Sequence, residues 1–177
     1  MVIVITGPIA SGKSTVAREL ARALAADGVR AAVIDLDLLH DELIATGSAP
    51  GDSTWTQARH RAATAANAFS RDGVAVVIAE GSFNLPVDRA NFAEGLVPDS
   101  GPVYVTLQVS FAEALRRAQG DATRGRSRDP LFLGPYFADR REVLSATPAT
   151  DLVIDTEQTT ATEAASSIAR LVRISAT

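Results

Sequence analysis

A single lysine stands in a chain whose other sixteen basic residues are arginine, and it falls inside GPIASGKST, Gly7 to Thr15. The stretch matches G-x-x-x-x-G-K-[ST], and it lies between an apolar strand-like run and a helical pattern. Its glycines let backbone N–H groups curl around a phosphate, and the opening helix adds the positive end of its dipole. Lys13 would reach the β- and γ-phosphates as a compact charge on a flexible stem, a place that arginine's broad fork fits poorly. Ser14 would meet Mg²⁺ through its hydroxyl and Thr15 would bond the α-phosphate, with the backbone of Gly7, Ala10, Ser11 and Gly12 completing the cradle. A ligand-free glycine turn is the competing reading, and the complete motif in its proper setting argues against it. The chemistry is nucleoside triphosphate binding; the motif says little about any acceptor.

Two further groups of residues can do chemistry. The run VIDLD places Asp35 and Asp37 where a strand ends, and VVIAEG places Glu80 and Gly81 at the end of another. Carboxylates at the carboxyl ends of strands beside a phosphate loop fall in the crevice where open α/β sheets bind ligands. One of the aspartates could instead cap the helix that follows. Between Arg116 and Arg128 lie five arginines, Arg116, Arg117, Arg124, Arg126 and Arg128, across a helix end and a stretch with no apolar face. Charge runs of this kind are often only solvated surface.

The elements that must position these groups follow from hydrophobic periodicity. Strands are expected at Val2–Thr6, Ala31–Asp35, Val74–Ala79, Val103–Val109 and Asp151–Thr156. Helices are expected over Lys13–Ala26, Leu38–Ala45, Trp55–Arg71, Val87–Glu94, Ser110–Gln119, Pro135–Leu144 and from Thr160 to Arg173. Thr54 with Gln57, Ser110 with Glu113 and Thr160 with Glu163 read as capping boxes. Gly120–Pro130 reads as mobile loop. Five buried strands alternating with helices predict a doubly wound α/β domain on a five-stranded parallel sheet.

Composition narrows the function classes. At 177 residues with 46% hydrophobic and 21% charged residues, the chain suits one globular domain. A net charge of −4 argues against nucleic acid or an anionic membrane as the main partner. There are no cysteines, hence no disulfide framework or thiolate metal site. MVIVITG reads as a strand and not as a signal peptide, and no apolar run approaches the roughly 20 residues of a membrane span. A cytoplasmic protein, monomeric or homodimeric, is expected.

The P-loop, the Asp35/Asp37 pair and the arginine run together resemble the small P-loop kinases of the shikimate kinase, gluconate kinase, adenylylsulfate kinase and chloramphenicol phosphotransferase group. The resemblance extends along nearly the whole chain as an order of elements. It implies ATP and Mg²⁺ as cofactors and phosphoryl transfer to a hydroxyl of a small molecule, a metabolite or an antibiotic. By that similarity Asp35 assists the metal and Asp37 orients or deprotonates the acceptor hydroxyl. Glu80 stands where an acidic residue would hold a Mg²⁺-bound water, as in uridine kinase-like enzymes, and Gly81 leaves room at the strand tip. The arginine run becomes a lid, about residues 118–135, with Arg124 and Arg128 facing the phosphates and Arg117 stacking on adenine.

The helix bearing Trp55, Arg59 and His60 occupies the acceptor region of that group. Trp55 could stack on an acceptor ring or simply pack, and Arg59 could bind an acceptor's anionic group or lie exposed. Phe83 and Asn84 would line the acceptor pocket, and Phe132 and Tyr136 would close the lid from above. Arg59 and Arg89 are the obvious cations for a mononucleotide acceptor, a thin set that favours a neutral or weakly charged one. His40 and His60 offer no credible metal pair. A nucleoside or nucleotide kinase and a non-kinase NTP-hydrolysing switch are the alternatives. The chain has no N-K-x-D guanine motif, and a switch needs no acceptor base.

Overall fold

The computed structural model describes residues 1–98, 100–146 and 150–174. Apolar, β-branched runs form five strands: β1 (Val2–Thr6), β2 (Ala31–Asp35), β3 (Val76–Gly81), β4 (Val103–Gln108) and β5 (Leu152–Asp155). All pair in parallel in the order β2-β3-β1-β4-β5. The helices are α1 (Lys13–Ala26), α2 (Leu36–Ala45), α3 (Asp52–Arg71), α4 (Pro86–Ala93), α5 (Phe111–Gln119), α6 (Pro130–Ala146) and α7 (Ala161–Ile174). The chain crosses from one side of β1 to the other between β3 and β4, so a crevice opens beside the carboxyl end of β1.

Strand alternation divides the core into two layers. Ile3 and Ile5 point to one face, where Val16, Leu20 and Leu24 of α1 and Ala164 and Ile168 of α7 cover them. Val2 and Val4 point to the other, against Ala58, Ala62 and Ala66 of α3 and Phe92 of α4. The alanines of α3 recur every four residues, a stripe of small side chains that lets this helix sit close on the sheet. A third cluster joins Ala10 of the phosphate loop to Ala114, Ala118 and Leu133, which ties α5 and α6 to the site.

Three local expectations change. Helix α3 starts at Asp52 with Gly51 as its N-cap, at a positive φ of +150° that favours glycine and without a side-chain cap bond. Thr54 lies inside the first turn and its hydroxyl donates to the Ala49 carbonyl, so the Thr54–Gln57 box does not form. Helix α6 starts at Pro130, five residues before the expected Pro135. Asp129 accepts from the Leu131 N–H at 2.9 Å and Pro130 takes the first helical position, the usual pairing of an Asx cap with a proline that needs no partner. Gly120–Pro130 is not structureless: Ala122–Arg128 forms 3₁₀ turns kinked at Gly125, capped by Asp121 and with no buried residue. The Thr160–Glu163 box forms as expected, Glu163 accepting from the Thr160 N–H at 2.9 Å and Thr160 from the Glu163 N–H at 3.3 Å.

Candidate active site

Strand β1 delivers the chain into the phosphate loop, and backbone conformation explains its glycines. Gly12 caps α1 at φ +91°, in the left-handed region that a glycine enters freely. A Cβ on Gly7, at φ +154°, would lie 2.6 Å from the Leu107 carbonyl oxygen and 2.8 Å from Ser11 Oγ. The first turn of α1 carries no acidic residue, so its N-terminal dipole is left for an external anion. Lys13 Nζ donates to the Gly7 and Pro8 carbonyls at 3.3 Å each, which arches the amine over the loop.

The carboxylates gather at the neighbouring strand tips. Asp35 pairs in register with Glu80, and Glu80 with Ile5 of β1. The Ser14 hydroxyl donates to the Glu80 carboxylate. Glu80 is buried, and that burial pushes its carboxyl up to about 7, with the Ser14 bond pulling down and Asp35 pushing further up. Asp37 is exposed at the lip of the crevice, with neighbouring protein on one side of its carboxyl. Burial raises its carboxyl above the ordinary range, Lys13 opposes, and Asp35 and Asp41 add to the rise. Asp35 Oδ1 accepts from the N–H groups of Asp37 and Leu38 at 2.9 and 3.2 Å, so this aspartate does cap α2. That cap also fixes the first turn of α2, and with it Asp37.

A cavity of about 330 Å³ adjoins the loop, lined among others by Ser11, Gly12, Thr15, Arg117, Arg124 and Thr156. Arg117 bridges its walls, donating to Glu113 at 2.7 Å, to the Thr156 carbonyl at 2.6 Å and to the Ala10 carbonyl at 3.4 Å. In the 3₁₀ turns and their flanks, Arg124 pairs with Asp121 at 3.3 Å, Arg128 reaches the Gln119 carbonyl at 3.5 Å, and Arg126 lies over the Phe132 ring at 4.8 Å. Phe132 is thus a platform for Arg126, and Tyr136 packs edge-on against Phe137 at 5.7 Å. A second, apolar cavity of about 720 Å³ between the β4 tip and α6 includes none of Lys13, Asp35, Asp37 or Glu80.

On the acceptor side several expectations are corrected. Arg59 is neither exposed nor open to a ligand's charge: it is 6% exposed, held at 2.8 Å by Asp88 and at 3.0 Å by the Ser82 carbonyl. Gly81 does not leave room, because Leu36 fills the space and a Cβ would meet Leu36 Cβ at 2.5 Å. Phe83 is fully buried and packs edge-on against Phe92 at 5.2 Å, so it belongs to the core. Asn84 is buried and accepts from the Thr6 hydroxyl at 2.9 Å. Arg89 is buried over the Tyr104 ring at 4.0 Å, and its Nε donates to the Phe83 carbonyl at 3.2 Å. Trp55 is half-buried and stacks flat on His40, with centroids 3.8 Å apart and planes 12° from parallel.

Sequence reasoning weighed His40 only as a metal ligand and passed over Asp88. His40 follows Asp37 by three residues, one helical turn, and Trp55 meets it only through tertiary packing. Asp88 had a local signal. It is the third residue of α4, after Pro86 at the first position, and its Oδ2 accepts from the N–H groups of Asn84 and Leu85 at 3.1 and 3.0 Å.

Strand order, phosphate loop and carboxylates at the strand tips define a P-loop kinase fold. The chain belongs to the AAA domain family, whose match covers residues 3–131. It is 36% identical over 128 residues to a shikimate kinase from Corynebacterium efficiens, covering 70% of this chain and 67% of that protein. Its fold is similar to that of the Mycobacterium tuberculosis APS kinase in complex with AMPPNP and APS, with a TM-score of 0.68, 20% identity and coverage of 97% and 96% of the two chains. It is also similar to that of the Acinetobacter baumannii shikimate kinase in complex with shikimate, with a TM-score of 0.62, 22% identity and coverage of 98% and 93%.

Proposed function

We propose that this P-loop kinase transfers the γ-phosphoryl group of Mg-ATP to a hydroxyl of a small-molecule acceptor, a metabolite or an antibiotic. The observation that carries the reading is Asp37, set by the Asp35 cap at the lip of the crevice and within electrostatic reach of Lys13. A carboxylate raised above its ordinary range is a stronger base, suited to orient the acceptor hydroxyl and take its proton. Lys13 holds the β- and γ-phosphates, and the backbone of Gly7–Ser14 cradles the triphosphate. Arg117 forms the adenine-side wall.

The donor set fits Mg²⁺. The Ser14 hydroxyl, Glu80 and Asp35 offer hard oxygens. Among the described residues no group of three His, Cys, Asp or Glu could cage an ion alone, which suits a metal that arrives with phosphates and retained waters. Mg²⁺ would neutralise charge on the transferred group. Arg124 and Arg128 hold only exposed lid partners, contacts cheap to exchange when the lid closes and brings them to the phosphates. The net charge of −4 gives no general attraction for nucleic acid or an anionic membrane.

The test is ADP formation from Mg-ATP against sugars, polyols, nucleosides, mononucleotides and hydroxylated antibiotics. One acceptor class should raise the rate well above the acceptor-free background. Slow release of free phosphate, indifferent to every acceptor, would favour a nucleotide-hydrolysing switch instead.

A further inference from the structure

The acceptor side of the crevice is built from α2, α3 and the loop between β3 and α4, and its charges are unevenly arranged. The cation of α3 nearest the β3 tip is Arg59, and its guanidinium is committed on two sides. Nη2 lies 2.8 Å from Asp88 Oδ1, and Nε and Nη2 both donate to the Ser82 carbonyl, at 3.4 and 3.0 Å. Asp88 is committed in turn, since its second oxygen accepts from the Asn84 and Leu85 N–H groups. Both side chains are buried, at 7% and 11% exposure. A buried pair stitched into a loop at both ends does not open for a passing anion, because either partner left alone would be an uncompensated buried charge.

Among the described residues, the charged groups gathered at the β2 and β3 tips are mostly acids. Asp35 and Asp41 act electrostatically on Asp37, Asp35 and Asp37 act on Glu80, and Asp52 acts on Arg59. Among the described residues the cation acting on them is Lys13, which is held over the phosphate loop. His40, stacked under Trp55, presents a ring beside Asp41 at 3.3 Å. A carboxylate, phosphate or sulfate brought here would meet the carboxylates of Asp35, Asp37 and Asp41.

We infer that Asp88 is a specificity-determining residue that acts through Arg59: by neutralising that guanidinium, it reserves the acceptor side for a hydroxyl compound with no anionic group. This rests on the phosphotransferase reading and goes further, because it separates the chain's acceptor from shikimate, the ligand bound by a kinase of the same fold. It also disfavours a mononucleotide acceptor, whose phosphate would need the cation that Asp88 holds.

The experiment uses matched acceptors that differ only in charge: shikimate and its methyl ester, gluconate and glucitol, a nucleoside monophosphate and its nucleoside. ADP formation and phosphorylated product are measured for each pair with the wild type and with Asp88→Asn, which keeps an oxygen for the loop N–H groups and removes the charge. The expected result is that the uncharged member of the productive pair has at least a tenfold higher kcat/KM. In Asp88→Asn that preference should fall tenfold or more as the Arg59 charge is released. A wild type that prefers the charged member overturns the inference while leaving phosphoryl transfer intact. So does an Asp88→Asn variant in which both members slow equally, the signature of a purely structural residue. Where the variant does not fold, the wild-type ratio decides alone. ADP and free phosphate formed at one rate with every compound would remove the phosphotransferase reading itself, and the inference with it.

Discussion

At the scale of the residue, the lone lysine has a physical account. Its amine sits 3.3 Å from two loop carbonyls in a nest sized for a compact charge. Lys13→Arg should therefore keep the charge and lose the function, lowering kcat/KM for ATP roughly 10²-fold or more, as removal of a transition-state contact does. Steady-state kinetics beside circular dichroism check it; an active arginine variant would contradict the nest. Glu80 yields a prediction of a different kind. Its folded carboxyl titrates near 7, above the ordinary 4.5. Between those values the folded state holds a proton that the unfolded state releases, so stability falls as pH rises from about 4.5 through 7. At roughly 1.4 kcal/mol per unit, the loss is on the order of 3 kcal/mol. Thermal denaturation of the nucleotide-free protein at pH 5 and pH 8 should show a drop in Tm that Glu80→Gln largely removes.

At the scale of the element, the tips of β2 and β3 are locked together. Gly81 at φ +151° presses on Leu36, so Gly81→Ala adds backbone strain and a Cβ contact of 2.5 Å. Together these should destabilise by roughly 2–4 kcal/mol. Chemical denaturation measures it, and a neutral effect would mean that α2 shifts freely on the sheet. The loop after β3 depends on the α3–α4 ion pair. Arg59→Ala would strand Asp88 and should cost roughly 3–5 kcal/mol. If Arg59→Ala were as stable as the wild type, the pair would not be holding the loop. In the proposed lid, the pairs of Arg124 and Arg128 are exposed, so their replacement by alanine should leave Tm nearly unchanged while activity falls.

At the scale of the whole molecule, the sheet and the phosphate loop were legible because their signals are local. β-branched runs, the G-x-x-x-x-G-K-S spacing and the VIDLD turn each state their structure within a few residues. The strand boundaries differ by only a few residues, and the α1 start matches. The acceptor side was less legible for a physical reason: its roles are set by contacts distant in sequence. Arg59 reads as a surface arginine until Asp88, 29 residues on, neutralises it, and Phe83 reads as a pocket residue until Phe92 packs against it. The start of α6 was missed because Pro135, which the helix tolerates in its second turn, competes with the stronger Asp129–Pro130 signal.

The central claim is that Asp37 activates an acceptor hydroxyl on this fold, and the most direct measurement follows the phosphorus. γ-Labelled ATP, the best acceptor and either wild type or Asp37→Asn are incubated, and the labelled products are separated. The account predicts label on the acceptor in proportion to ADP for the wild type, and at least a 10²-fold slower transfer in the variant with ATP binding retained. Label appearing only as free phosphate, at equal rates in both proteins, would contradict it.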